Sequence, residues 1–494
     1  MNRKGGFTIF RWFSLVLIFT AVLLTIFQLV TFSRVRSILP AGMQVAGVPV
    51  GGLDQKQAAD RLIQAYGVPV ELRYGDAIIQ VKPALVGFNL DLEGMLAAAD
   101  LQRLNRAFWP AFWDYLWNRP SSANEIPLSA TISESRLRAY LKDEIAARYD
   151  QLPLAAMPVP GTTNFQAGQP GTMLDAERAV TLIEDALRSP SARVVNLTFN
   201  QVSPPRPAFQ NLQILLKQII DLSHFDGLIE VYVEDLQTHQ ELHFALKGGA
   251  DVQPDIAFTA ASTMKIPIMI STFRRVNEPA PKEITDLLEL MIEQSENDAA
   301  DNLMKTVLDK DTGPLKVTED MQALGLNNTF LAGYFYPGAP LLKKITTPAN
   351  QRTDISTDPD LYNQTTPLEL GMLLDDLYQC AQTGGGSLAA AFPGKITQNE
   401  CRQMITYLTR NKIAVLLEAG LPEGAQIAHK HGWITSNDGL IHTIGDAGIV
   451  YSSGGNYVIT IYMYHPVQLL FDPANQLVAQ LSAAVYNYFN MINK

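Results

Sequence analysis

The sequence predicts an α+β fold: an antiparallel five-stranded sheet flanked by helices plus an all-helical subdomain, with a smaller N-terminal α+β domain and one transmembrane helix. Three observations predict it. In residues 209–494, strand-like runs gather at the two ends, with a long helical stretch from about 262 to 420 between them. In residues 38–205, short strand-like runs alternate with amphipathic helices. At the N-terminus, Trp12–Phe32 is an apolar run of 21 residues without a charge.

That run spans ~30 Å as a helix, the thickness of a bilayer core. Arg3, Lys4 and Arg11 precede it and Arg34 and Arg36 follow, which favours an inside N-terminus. A cleaved signal peptide is the rival, but its apolar stretch is shorter, ~7–15 residues, and ends in a small-residue cleavage site. No such site occurs before Pro40. Residues 1–37 therefore read as a cytoplasmic tail and an uncleaved signal-anchor. This predicts a single-pass protein of the cell membrane, with everything after residue 37 outside the cytoplasm.

In 38–205, Val45–Leu53 is extended and punctuated by Gly and Pro, and Asp54 reads as the cap of a helix over Gln55–Tyr66. Val70–Tyr74 and Ala77–Val81 read as a strand pair around Gly75-Asp76. A helix over Thr172–Leu187 and a strand over Val194–Phe199 follow. No nucleophile set, metal spacing or phosphate loop occurs here, so this is a spacer or binding domain. The Pro-rich Ser203–Ala208 is a stiff linker.

The last domain begins with a helix over Leu212–Leu222 and strands over Gly227–Val233 and Glu241–Ala245. Strands over Ala428–Ile434, Ile441–Tyr451 and Tyr457–Tyr464 close it, joined by turns at Asn437-Asp438-Gly439 and Ser453–Asn456. An amphipathic helix runs from about Gln476 to Ile492.

Composition narrows the function. A net charge of -11 argues against a nucleic-acid partner, which needs a cationic face. Two cysteines, Cys380 and Cys401, exclude a disulfide scaffold and a Cys-rich metal site; they form one bridge or are two buried thiols. The histidines are scattered, and neither a metal nor a cofactor is expected.

Ser262-Thr-Met-Lys265 is the only S-x-x-K in the chain and opens the apolar helix Ile266–Phe273. One turn puts Ser262 and Lys265 on one face. Free N–H groups at a helix start can hold an oxyanion. A buried Lys265 would lose its proton readily and serve as base for the Ser262 hydroxyl. Pro267, early in the same helix, has no account from sequence. Ser295-Glu-Asn297 offers a second hydroxyl and an amide to pass a proton and orient a substrate amide. Lys430-His-Gly432 lies on a predicted strand. Lys430 would bind a substrate carboxylate, Gly432 would let a substrate backbone approach, and the N–H of Trp433 would join that of Ser262 around an oxyanion.

In order and context these three motifs resemble those of the penicillin-recognising serine enzymes, class A β-lactamases and penicillin-binding proteins. The resemblance spans about 210–494, through A-S-T-M-K at 261–265, S-E-N-D-A-A-D-N-L-M at 295–304, T-T-P at 365–367 and H-K-H-G-W at 429–433. It implies Ser262 as acylated nucleophile, Lys265 as base, Ser295 as proton shuttle, Asn297 as contact to the substrate amide and Lys430 as carboxylate anchor. The implied substrate is a β-lactam or a D-Ala-D-Ala-type peptide. Residues 38–205 resemble peptidoglycan-binding domains of bacterial surface proteins, through A-G-V-P-V-G-G-L-D-x-x-x-A (46–58) and F-x-A-G-x-x-G-x-x-L-D (165–175). That resemblance implies cell-wall peptidoglycan as a partner.

The chain departs from the first family in three ways. Glu296 replaces Asp and His431 replaces Thr or Ser. Class A β-lactamases also carry a Glu upstream of T-T-P that activates the deacylating water, whereas Gly325–Thr366 contains no Glu, only Asp354, Asp358 and Asp360. Slow deacylation is therefore expected. Three functions follow: a β-lactamase-type serine hydrolase, favoured here; a D,D-peptidase or transpeptidase of the cell wall; and a non-catalytic β-lactam or wall sensor.

Overall fold

In the computed structural model, which describes residues 6–119, 125–436 and 438–491, helix α1 runs from Gly6 to Val35. Arg3 and Lys4 of the expected inner flank, Asn437 of a predicted turn and Ile492 of the last predicted helix lie outside the described residues. Phe10–Val35 is long and apolar enough to cross a membrane, with mean hydropathy 2.5. The chain divides into two compact units, Met1–Pro153 with Pro170–Ser203, and Leu154–Gln169 with Pro204–Lys494.

The N-terminal unit builds a small sheet from β1 (Val70–Tyr74), β2 (Ala77–Val81) and, further along the chain, β4 (Val194–Asn196), in the order β4-β1-β2. Helix α2 (Gln55–Gly67) starts in a capping box, Asp54 accepting from the Gln57 amide and Gln57 reaching back. Helices α3 (Leu92–Leu104) and α4 (Phe108–Leu116) follow. Thr172–Leu174, expected in a helix, belong instead to β3 (Gly171–Leu174), paired antiparallel with β5 (Phe199–Val202). The reason is Asp175: its carboxylate accepts the Arg178 amide and starts α5 (Ala176–Arg188) four residues later than expected. The expected single strand over 194–199 is split between β4 and β5. The core is Val45, Leu62, Tyr66, Leu72, Val86, Leu137 and Ile183.

The C-terminal unit takes in residues 154–169, which the sequence assigns to the preceding region. Phe165 packs on Tyr488 with ring centroids 5.8 Å apart, and the Asn487 amide donates to the Thr163 carbonyl at 2.9 Å. Helix α6 (Phe209–Leu222) leads into β6 (Leu228–Asp235), β7 (Glu241–Lys247) and the short β8 (Ala250–Val252). Strands β9 (Gln426–Thr435), β10 (Ile441–Tyr451) and β11 (Tyr457–Tyr464) complete an antiparallel sheet ordered β8-β7-β6-β11-β10-β9. The five expected strands are there, and β8, a three-residue edge strand, is added. Every residue of β6 is buried, because both sheet faces are covered. Val231, Val233, Ile459 and Ile461 pack on α6 and on α12 (Phe471–Phe489). Tyr232 and Tyr462 face the helical subdomain, built from α7 (Lys265–Phe273), α8 (Lys282–Glu293), α9 (Asn297–Leu303), α10 (Pro367–Thr383) and α11 (Gln398–Leu408) with their connections. Cys380 on α10 and Cys401 on α11 are bridged, which settles the cysteine question.

Candidate active site

Ser262 sits where the helical subdomain meets the sheet. Phe258–Thr259 pairs with Asn363–Thr365, and the Asn363 side-chain oxygen accepts the Ala261 amide at 2.7 Å. Ala261 is in the left-handed region, φ 49°, and turns the chain sharply into a 3₁₀ turn, Ala261–Met264, that runs on into α7. The Thr263 hydroxyl pins this turn to the Tyr462 hydroxyl of β11 at 2.6 Å. Of the residues from Ala261 to Phe273, Ser262 alone is partly exposed. Pro267 is the third residue of α7, where a missing N–H removes no intrahelical bond.

The Lys265 amine is fully buried and lies 2.9 Å from Ser262 Oγ, 2.7 Å from the Ser295 carbonyl, 3.2 Å from Ser295 Oγ and 2.8 Å from Asn297 Oδ1. An ammonium has three protons for these four oxygens, and a neutral amine has two protons and one lone pair. The two hydroxyls are the groups that can donate to that lone pair. Burial, and then the positive charge of Lys430, brings the Lys265 pKa down to about 7, against the opposing pull of Glu296 and Asp301. Ser295, at φ 62°, turns its carbonyl and hydroxyl to the same amine.

Strand β9 is the sheet edge beside this turn. Lys430 is fully buried, its amine donating to the His431 carbonyl at 3.3 Å, and burial lowers its pKa to about 8 while Asp446 opposes. A Cβ on Gly432 would lie 2.7 Å from the Ser262 nitrogen and 3.0 Å from the Thr263 nitrogen. The glycine thus answers to the approach of the chain's own nucleophile turn, a constraint nearer than the substrate backbone expected from the sequence. Trp433 stacks on His431, centroids 5.0 Å apart, and edge-on against Phe471 at 4.9 Å.

Behind β9 lies a polar network that no sequence motif signals. His429 Nδ1 meets both Asp446 oxygens at 3.0 and 3.1 Å, and its Nε2 meets Glu418 at 3.2 Å. Burial alone would lower His429, but the two carboxylates hold it up at about 9. The Asn411 amide donates to His431 Nδ1 at 3.0 Å, and burial and the neighbouring Lys430 push His431 down to about 3, leaving it neutral. Ligand atoms of His429, His431 and Asp446 lie within 4.8 Å of one another. The arrangement reads as a hydrogen-bonded brace, since an imidazolium held by carboxylates has no lone pair for a metal.

Two of the three carboxylates of the 325–366 loop have other duties. Asp354 pairs with Arg352, and Asp360 accepts the Tyr362 amide at 2.9 Å and the Asn363 amide group at 3.3 Å. The Asp358 amide, at φ 46°, donates to Ser356 Oγ at 3.2 Å in an exposed turn. The expected residues Ser262, Lys265, Ser295 and Asn297 thus meet at one amine, with Gly432 against the nucleophile turn and the Lys430 charge felt at Lys265.

Compared with known proteins, residues 211–280 and 279–489 match the family model of the beta-lactamase enzyme family. No curated protein matches. Among solved structures, one described as the structure of PBP-A is 22% identical, covers 58% of this chain and 98% of its own, and has a TM-score of 0.41. An ancestral (GNCA) class A beta-lactamase is 20% identical, covers 56% and 98%, with a TM-score of 0.40. The beta-lactamase of Sphaerobacter thermophilus DSM 20745 is 16% identical, covers 56% and 96%, with a TM-score of 0.40.

Proposed function

The chain belongs to the beta-lactamase enzyme family, and from that premise we propose that it is a membrane-anchored, extracytoplasmic serine hydrolase of the class A type, acylated at Ser262 by β-lactams or related amides and slow to deacylate. The observation that carries this reading is the buried Lys265 amine, 2.9 Å from Ser262 Oγ with its pKa brought to about 7. At neutral pH much of it is free base beside the partly exposed Ser262 hydroxyl.

In the reaction, Lys265 takes the Ser262 proton while Oγ attacks the lactam carbonyl carbon. The N–H groups of Ser262 and Trp433 hold the oxyanion. Ser295 passes the proton on to the lactam nitrogen as the C–N bond breaks, leaving an ester on Ser262. Asn297 spends its oxygen on Lys265 and keeps its NH₂ for the substrate amide carbonyl. Lys430 receives the substrate carboxylate. Water must then attack the ester, and the loop offers no Glu to activate it: Asp354 and Asp360 are engaged elsewhere and Asp358 sits in an exposed turn; losing general-base help slows such a step ~10²–10⁴-fold.

A second reading is favoured by that same missing base together with α1: a tethered D,D-peptidase or transpeptidase, for which acyl transfer is the task. In either case α1 anchors the chain and residues 38–205 act as a spacer that binds peptidoglycan. The test is incubation of the full chain with a fluorescent penicillin and a chromogenic cephalosporin, beside Ser262→Ala. Stable label that is lost in Ser262→Ala, with little colour, is expected. Absence of label in the unaltered chain overturns the acylation reading, and rapid colour release overturns slow deacylation.

A further inference from the structure

Helix α4 is the most aromatic segment of the chain, Phe108-Trp-Pro-Ala-Phe-Trp-Asp-Tyr-Leu116, followed at once by Trp117. Two of its faces are apolar, and one of them is covered. Phe108, Phe112 and Tyr115 close around Phe32 of α1, with ring centroids 5.3, 5.4 and 5.3 Å away. Trp109, Trp113 and Trp117, four residues apart and so on one face, are 61%, 57% and 71% exposed.

The position of this contact along α1 is what gives it meaning. Phe32 ends the uncharged run that begins at Trp12, and twenty residues of helix rise ~30 Å, one bilayer core. With Trp12 at one membrane interface, Phe32 and the helix clasped to it stand at the other. Tryptophans gather at this depth because the ring is apolar and its N–H seeks water and headgroups. The attachment is firm: the Arg36 guanidinium donates to the Arg106 carbonyl at 2.9 Å and lies 5.2 Å from the Phe108 ring, and Arg103 donates to the Arg36 carbonyl at 2.6 Å. Large apolar side chains are exposed on both helices, Phe27 and Val30 on α1 and the three tryptophans at α4.

We propose that α4 is an interfacial helix, its Trp109–Trp113–Trp117 face seated in the headgroup layer of the bilayer that α1 crosses. This rests on α1 being a membrane span. Arg34 and Arg119, both exposed at this end, face the lipid phosphates. The consequence is a second hold on the membrane that fixes the N-terminal unit's orientation to the surface, which a single helical tether does not.

The test uses the full chain reconstituted in phosphatidylcholine vesicles whose acyl chains carry bromine near the headgroup or deep in the core. Bromine quenches tryptophan on contact. The chain has five tryptophans, so Trp12→Phe with Trp433→Phe leaves the α4 face alone to report. A second variant, Trp109→Ser, Trp113→Ser, Trp117→Ser and Trp433→Phe, leaves Trp12 alone to report on the span. The first variant is expected to be quenched at least twofold more by shallow than by deep bromine, and the second to be quenched as well. Quenching of Trp12 without quenching of the α4 face overturns the proposal and spares the anchor. Quenching of neither shows that α1 does not span. Shielding of the α4 face in detergent, with cross-links between copies, makes it a protein interface and also overturns the proposal.

Discussion

The two units treat buried charge in opposite ways. In the N-terminal unit, Arg193 is the one charged side chain among the described residues that is buried. The C-terminal unit buries Glu230, Lys265, Asp301, Asp320, His429, Lys430 and Asp446, among others. Burying a charge is expensive, and a fold accepts it where partners repay the desolvation or where the shifted pKa is used. On the proposed reading, the difference separates the unit that works on covalent bonds from the one that holds and spaces.

The largest effects belong to the two lysines. In the proposed reaction Lys265 acts as the free base, so acylation should rise with pH through about 7, and Lys430 anchors a carboxylate as the cation, so binding should fall as pH passes about 8. The expected profile of Ser262 acylation is a narrow bell whose limbs belong to the coupled pair. Lys265→Met should lower the acylation rate ~10²–10⁴-fold. Lys430→Met removes the repulsion that helps keep Lys265 neutral, so the acidic limb should move to higher pH and the alkaline limb vanish. Stopped-flow acylation against pH reads both, and an unmoved acidic limb would show that the two amines do not sense each other.

Next is the brace behind β9. Asp446→Ala strips the imidazolium of His429 of its main partner and removes an acceptor 3.1 Å from the Leu417 amide. Breaking one side of a buried pair costs about 3–5 kcal/mol, and a urea titration of the full chain followed by far-ultraviolet dichroism measures it. A cost below about 1 kcal/mol would mean that the pair behaves as a solvated one.

How much of this was legible in the sequence follows the range of the interaction. Ser262–Lys265 is a local spacing, and 2.9 Å follows from one turn of helix. Strands β10 and β11 have the bounds expected, because alternation and turn residues are local too. Thr172–Leu174 were misread because a strand of four residues has little pattern and Asp175 looked interior to a helix. The assignment of 154–169 depends on Tyr488 and Asn487, more than three hundred residues away. The His429–Asp446–Glu418 cluster joins three segments by side-chain geometry, and each of its members alone is an unremarkable polar residue. Gly432 was noticed as a motif letter, but the clash that requires it involves the Ser262 turn.

A smaller effect is expected from the frame of the helical subdomain. The Cys380–Cys401 bridge closes a loop with a sequence separation of 21, and removing a bridge of that size costs about 3 kcal/mol, mainly by freeing the unfolded chain. Cys380→Ser with Cys401→Ser should lower the unfolding midpoint and leave the penicillin label intact at room temperature. The bridge lies between α10 and α11, and neither carries a residue of the proposed reaction. A lost label in a folded variant would tie the subdomain frame to the nucleophile.

The smallest effect is predicted where the comparison is sharpest, at Arg193. Its guanidinium donates to the Tyr66 carbonyl at 3.2 Å and the Ala65 carbonyl at 3.4 Å, and lies 5.4 Å from the Tyr66 ring, while Nε and Nη1 are buried without a protein partner. This charge caps the last carbonyls of α2, and its pKa is lowered by burial, so its desolvation is only partly offset. Arg193→Met keeps the stem and the contact with Tyr66, gives up two hydrogen bonds and removes the desolvation. The two changes nearly cancel, and a shift within about 1 kcal/mol is expected. The same kind of exchange at Lys265 or Lys430 is expected to slow or reshape acylation. Measured side by side, unfolding midpoint and penicillin labelling separate a charge kept for structure from charges kept for reaction. A loss of label in Arg193→Met would erase that distinction.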